Sequence, residues 1–253
     1  MTPDNPTTLD HFLDGALALR QPLAGHRSGT DAILLAATVA PMSGNLIDLG
    51  SGVGAAGLAV ATRLPSVNVT LVEIDPALAG LAAANILENR LGQRARAVIC
   101  DALSAPARRA VGLADATADI VICNPPWLTP GRARASPDAS RALAHVARGE
   151  AGVFDWLRAT AALLRPDGRM AMIHRADALA DLLAACAGRF GDLAILPIHP
   201  RADAPAIRVI VAGRKGSRAP TRIFPGLVLH GADGAFTPRA DALMRGADGV
   251  DLV

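Results

Sequence analysis

The chain of 253 residues contains no tyrosine, and aromatic residues make up only 3% of it. Any ring stacking must therefore come from two tryptophans, Trp127 and Trp156, or from five phenylalanines. Lysine is almost missing as well. Lys215 is the single one, so 24 of the 25 basic residues are arginine. A GC-rich coding background produces such a bias, and arginine still pairs well with phosphate wherever it clusters. The net charge of +2 is too small to indicate nucleic acid by charge alone. The three cysteines, Cys100, Cys123 and Cys186, have no metal-ligand spacing. They predict structural thiols in a reducing cytoplasm, with no metal site. Residues 1–14 carry acids and no basic segment, so no signal peptide is expected there. Apolar runs such as Ala32–Ala40 are too short to span a bilayer.

What is present points to a large core, with 51% hydrophobic and 19% charged residues. Residues 1–25 read as irregular, with one short helix around His11–Leu19. Thr30 or Asp31 can cap a helix over 32–39. From Asn45 a strand–helix alternation begins. Strands are predicted at 46–49, 67–74, 96–100, 119–123, 169–174, 193–198 and 207–213. Helices are predicted at 52–63, 76–91, 105–112, 151–164 and 176–189. Repeated strand–helix units predict a parallel sheet covered on both faces. The last two strands have only 199–206 between them, too short for a crossover helix, and so predict an antiparallel pair. The expected fold is α/β, a mostly parallel seven-stranded sheet with one reversed strand.

The first strand ends in Asp48-Leu-Gly50-Ser-Gly52-Val-Gly54. Glycines there let backbone turn sharply and approach a ligand, and the following helix offers free N–H groups. Two cofactors fit. Gly52-x-Gly54-x-x-Gly57 matches the dinucleotide fingerprint, with Glu73 at the expected distance. Against NAD, Asp48 would repel a pyrophosphate, and it would attract a sulfonium and an ammonium group, which favours S-adenosylmethionine. Glu73 can take the ribose hydroxyls of an adenosine. Asp75 is its neighbouring alternative, or the cap of the helix opened by Pro76. Asp101 can accept from an adenine amino group, or cap a helix itself.

The fourth strand closes on Asn124-Pro125-Pro126-Trp127. Two prolines cannot continue a ladder, so the strand stops where open α/β sheets bind ligands. Adenine's exocyclic nitrogen is a poor nucleophile because its lone pair is delocalised into the ring. Two acceptors that hold its hydrogens out of the ring plane make it more tetrahedral. The Asn124 side-chain oxygen supplies one acceptor and the Pro125 carbonyl the other. Trp127 offers a flat face, worth roughly 1–3 kcal/mol in base stacking.

These motifs resemble class I S-adenosylmethionine-dependent N-methyltransferases, which carry Asn/Asp-Pro-Pro-aromatic after the fourth strand. The chain is most similar to the bacterial tRNA adenine-N6 methyltransferases that act beside the anticodon of a valine tRNA. The likeness includes Gly29-Thr30-Asp31, Asp48–Gly54, the acidic end of the second strand and Asn124-Pro-Pro. It implies a Rossmann-like fold and methyl transfer to adenine N6 in RNA. It also implies a cofactor held by Asp48, Gly50, Gly52, Gly54, Glu73 and Asp101, with Thr30 and Asp31 near its methionine end. Asn124, Pro125 and Trp127 would hold the target, flanked by Pro126. Trp127 departs from the commoner tyrosine and lacks its phenol. The implied organisation is an extension over 1–40 that contributes to both sites, a methyltransferase domain over 41–216, and a tail over 217–253 packed on it.

On the substrate side, Arg132, Arg134, Arg141, His145 and Arg148 follow Trp127 in a long polar segment suited to phosphate. Arg201, Arg208, Arg214, Lys215, Arg218 and Arg222 are read as an extension of that basic track. The expected partner is tRNA or another RNA, in the cytoplasm and away from membranes. Adenine in DNA, or a protein glutamine, presents the same amino chemistry and stays open, and a NAD enzyme is the more distant alternative.

Overall fold

A computed structural model describes residues 6–24, 27–126 and 152–253. Trp127, Arg132, Arg134, Arg141, His145 and Arg148 lie outside the described residues.

The chain opens on an antiparallel hairpin of β1 (Thr7–Phe12) and β2 (Leu17–Pro22), where the sequence predicts a short helix. The turn explains the difference. Leu13, Asp14 and Gly15 all have positive φ, and an Asp-Gly pair between two extended runs is a hairpin signal.

Next come α1 (Thr30–Ala37), β3 (Gly44–Leu49), α2 (Ala55–Arg63), β4 (Val67–Glu73) and α3 (Pro76–Glu88). They are followed by β5 (Ala95–Ile99), α4 (Ala105–Ala110) and β6 (Ala118–Cys123). Beyond the undescribed stretch lie α5 (Val153–Leu163), β7 (Leu164–Arg175), α6 (Leu179–Cys186), β8 (Phe190–His199) and β9 (Arg208–Lys215). The end of the chain forms β10 (Arg222–Ile223), β11 (Leu227–Val228) and α7 (Pro238–Met244).

The main sheet runs β10-β8-β9-β7-β6-β3-β4-β5, with β11 also on β8. Among the described strands of this sheet only β9 is reversed, antiparallel to β7 and β8. The short connection between β8 and β9 forces this, as expected. The tail adds β10 and β11 to the β8 edge, so among the described residues the sheet has nine strands, two more than expected. Two residues each are too few to show as strands in a sequence.

Alternation along the strands splits the core in two. Leu46, Leu71, Ile122 and Ile173 face α1, α2 and the hairpin, whereas Leu49, Val72, Cys123 and Met172 face α5 and α6. Helix starts follow capping chemistry. Asp75 Oδ1 accepts from Ala77 N–H at 2.8 Å and Pro76 takes the first helical position. Helix α1 differs from expectation. Gly29 is its N-cap, and no side chain caps it. Thr30 and Asp31 already lie inside its first turn. Arg165–Gly168, between the predicted helix over 151–164 and the predicted strand over 169–174, belongs to β7, where the ladder is bulged between Ala118 and Ile120.

Lys215, the single lysine, donates to the Leu164 carbonyl at 2.6 Å and braces β9 against β7. No helix among the described residues is long and apolar enough to cross a membrane.

Candidate functional site

Strand order locates the crevice. From β3 the sheet grows through β4 and β5 on one side and through β6 and β7 on the other. Ligands of open α/β sheets bind at such a switch point, beyond the carboxyl ends of the strands. Leu49 pairs with Cys123 across β3 and β6, and Cys123 Sγ lies 3.1 Å from the Leu49 carbonyl oxygen. Gly50 and Asn124 therefore leave neighbouring strands at the same level, about 4.8 Å apart in strand spacing. Pro125 is buried and Asn124 partly exposed, so Asn124 sits at the carboxyl edge of β6 beside a buried proline. The structure thus brings together the glycine loop and the Asn-Pro-Pro segment, 74 residues apart in sequence.

The glycine loop is braced from behind. A Cβ on Gly50, whose φ is +78°, would lie 2.8 Å from Trp156 Cη2. Trp156 is buried on α5. Sequence reading gave this tryptophan no part in the site. Its only signal was position, as one of two indoles on an apolar helix face. Gly54 adopts the left-handed conformation as N-cap of α2. A Cβ on Gly52 would meet nothing within 4 Å, so the loop presents open space there. The neighbouring Ser51 Oγ is buried without a hydrogen-bond partner among the described residues. An open glycine beside an unsatisfied hydroxyl is what a polar cofactor can fill.

The acids divide by role. Glu73 Oε2 accepts from Gly52 N–H at 2.8 Å, and Oε1 accepts from Ile74 and Asp75 N–H. A carboxylate offers about four acceptor positions. Three are taken, so one ribose hydroxyl can be accommodated, and a second requires Glu73 to release a loop amide. Asp48 faces α2, because alternation along β3 turns it to that side. Its Oδ2 accepts from Gly57 N–H at 2.8 Å and it is 2% exposed. Burial pushes its carboxyl up to about 7, against the Gly57 hydrogen bond and with help from the negative charge of Glu73. Its charge is therefore partial at neutral pH, and it repels a pyrophosphate less than a fully ionised carboxylate would. A Cβ on Gly57 would lie 2.5 Å from Leu71 Cδ2, which is close helix–strand packing compatible with either cofactor.

Asp101 Oδ1 accepts from Leu103 N–H at 3.0 Å, while Ser104 caps α4. Asp31 pairs with Arg208 at 3.1 Å and ties α1 to the start of β9.

The second basic group does not form one track. Because β9 is antiparallel to its neighbours, Arg208 lies at the carboxyl edge of the sheet and Arg214 and Lys215 at the opposite one. Gly191 packs against Ser217 and Arg218 there, and Arg222 pairs with Asp192. Only Arg201 and Arg208 remain on the side of Asn124. Among the described residues no group of three or more His, Cys, Asp or Glu could hold a metal ion.

A family model described as methyltransferase small domain matches residues 27–181, more than half of the chain. A Flavobacteriaceae protein named tRNA1(Val) (adenine(37)-N6)-methyltransferase is 33% identical over 149 residues, 58% of each chain. The alignment thus spans less than two thirds of that relative. A Porphyromonas gingivalis protein of the same name is 28% identical over 221 residues, 84% of each. Among solved structures, one described as a predicted O-methyltransferase from Agrobacterium tumefaciens superposes with a TM-score of 0.73. It is 34% identical and covers 87% of this chain and 98% of its own.

Proposed function

The chain belongs to the methyltransferase small domain family, and from that membership we propose that it methylates the exocyclic N6 of adenine in RNA, with the anticodon region of a tRNA as acceptor. Its fold is the Rossmann-like class I methyltransferase fold expected from the sequence, and S-adenosylmethionine is the methyl donor of that class. The observation that carries the reading is the level pairing of Leu49 with Cys123. It sets Asn124, the acceptor-holding amide, beside the first residue of the glycine loop.

S-adenosylmethionine supplies an electrophilic methyl group on a sulfonium. The chain supplies position. Ser51, Gly52 and Glu73 hold the cofactor, and Asp101 reads its adenine. Thr30 and Asp31 lie toward its methionine end. Asn124 Oδ1 and the Pro125 carbonyl accept the two hydrogens of the target amine and turn its lone pair toward the methyl. No buried base is needed, since the cationic product amine loses its proton to water. The rate gain then comes from orientation and fixed dipoles. Trp127 is assigned to stack on the base, and Arg132, Arg134 and Arg148 to phosphate. In domain terms, residues 1–40 serve as the extension, 41–216 as the catalytic domain and 217–253 as the tail.

One second reading has a specific observation behind it. The Agrobacterium structure, described as an O-methyltransferase, is similar along nearly its whole length. An alcohol has one hydrogen to donate, so it would leave one of the two acceptors idle. An amine uses both, which favours nitrogen. A glutamine amide also has two hydrogens, so chemistry alone does not separate protein from RNA. Tritiated S-adenosylmethionine offered with total tRNA, DNA and protein separates them. N6-methyladenosine in digested tRNA is the expected product. Label confined to protein, or an O-methylated nucleoside, would overturn the proposal.

A further inference from the structure

The β1–β2 hairpin has no counterpart in the chemistry above, yet two side-chain amides, those of Asn85 and Gln21, tie it to segments that do. Asn85, on α3, is fully buried. Its Oδ1 accepts from Arg20 N–H at 2.7 Å, and its Nδ2 donates to the Arg20 carbonyl at 3.1 Å. That grips β2 as a neighbouring strand would. The same Nδ2 also donates to the Val53 carbonyl at 3.0 Å, and Val53 stands between Gly52 and Gly54 in the glycine loop.

One turn on, Asn89 repeats the grip on Ala18, at 2.8 Å and 2.7 Å, but its further hydrogen bond goes to the Asn85 carbonyl and not to the loop. At the far end of β2, Gln21 is 1% exposed. Its Oε1 accepts from Ser28 N–H at 2.7 Å, and its Nε2 donates to the Ser28 carbonyl at 3.1 Å and to Asp10 at 2.8 Å. Ser28 leads directly into Gly29, Thr30 and Asp31.

We infer that the hairpin is a splint for the cofactor site, with Asn85 and Gln21 as its positioning residues. Asn85 fixes the loop that faces the nucleoside, and Gln21 fixes the segment that faces the methionine end. Neither residue needs to touch the ligand. Each holds a backbone segment that does, and both take their reference from one rigid hairpin. Asn89 docks the hairpin by the same two-bond grip, so the third hydrogen bond of Asn85 is the informative one. Among the described residues Asn85 Nδ2 is the one side-chain donor to this buried carbonyl, and the glycine loop gains a fixed point there. The inference rests on the cofactor reading given under Proposed function.

Asn89 supplies the internal control. Calorimetric titration of S-adenosylhomocysteine into the full chain compares wild type with Asn85→Asp, Asn85→Ala, Gln21→Ala and Asn89→Ala. Asn85→Asp keeps the acceptor for Arg20 and loses both donors. It and Asn85→Ala should raise Kd about tenfold, in the range by which residues outside a site modulate affinity. Gln21→Ala should weaken binding as well. Asn89→Ala should lower Tm yet change Kd by no more than about twofold. Hydrogen exchange of the Gly52–Gly54 amides in the ligand-free protein adds an independent readout, faster in Asn85→Ala and unchanged in Asn89→Ala. Equal effects of the Asn85 and Asn89 substitutions on both readouts would reduce the hairpin to general stabilisation and overturn the inference. If wild type bound no S-adenosylhomocysteine, the cofactor reading would fail instead, and the exchange comparison would still decide the splint.

Discussion

At the scale of single residues, Asp48 and Asn124 show how position in the fold decides what a side chain can do. Asp48 is the residue on which sequence reasoning rested its choice of cofactor, yet it is buried under α2 and serves Gly57. Its folded-state carboxyl titrates near 7, against an ordinary 3.8. Between those values the folded protein holds a proton that the unfolded chain has lost. Stability therefore falls as pH rises through this window and levels off above it, by an amount on the order of a few kcal/mol. An asparagine side chain in its place would still accept from Gly57 without a charge. Urea unfolding of Asp48→Asn between pH 5 and 8 should give a flatter profile than wild type, and a variant at least as stable at pH 8. A steeper profile would contradict the burial argument. Asn124 is the opposite case, a partly exposed residue just past the end of β6. Asn124→Ala should cut kcat by about 10²–10³-fold, the usual cost of removing one aimed polar group. Its affinity for S-adenosylhomocysteine should be unchanged. A loss of that affinity instead would place Asn124 on the cofactor side.

At the scale of elements, the seven main strands and their order along the chain were legible because each has a local signal. Hydrophobic runs, Pro76 at a helix start and the short β8–β9 connection were enough. The hairpin is different. Its Asp14-Gly15 turn is a local signal set in a segment whose apolar residues also suit a short helix, and its docking depends on Asn85 and Asn89, which lie 65 and 71 residues away from their partners. The site was legible as two motifs, and their adjacency followed from the fold. What was not legible was the shell behind them, because Trp156 reaches Gly50 only through packing between α5 and the end of β3. That contact can be tested as a pair. Gly50→Ala forces a Cβ to 2.8 Å from the indole at a positive φ, which should cost about 2–4 kcal/mol from overpacking and left-handed strain together. Trp156→Phe shortens the ring and should relieve part of that clash. In a thermal or urea double-mutant cycle the pair should therefore lose less stability than the two single variants added, by about 0.5–3 kcal/mol. Strict additivity would mean that the loop moves away from α5 at no cost.

At the scale of the whole molecule, the reversal of β9 sorts the arginines in a way that composition cannot. A sequence places Arg201, Arg208, Arg214, Lys215, Arg218 and Arg222 in one basic stretch. The structure spreads it across the sheet. Eight residues of β9, at about 3.3 Å each, carry the chain some 25 Å from the acceptor edge to the opposite one. Several of these charges are also committed. Arg208 is paired with Asp31, and Lys215 holds a carbonyl. Arg201, exposed in the β8–β9 connection, is the member still on the side of Asn124 and, among the described residues, outside any ion pair. If RNA is the acceptor, each arginine on a phosphate contributes close to one unit to the slope of log affinity against log salt. Arg201→Gln should therefore weaken RNA binding and lower that slope by about one. The double variant Arg218→Gln/Arg222→Gln, at the far edge, removes twice the charge and should leave the slope unchanged. Filter binding across a salt series measures both. The reverse pattern would mean that RNA crosses the far edge of the sheet, and that net charge outweighs the geometry of the acceptor side.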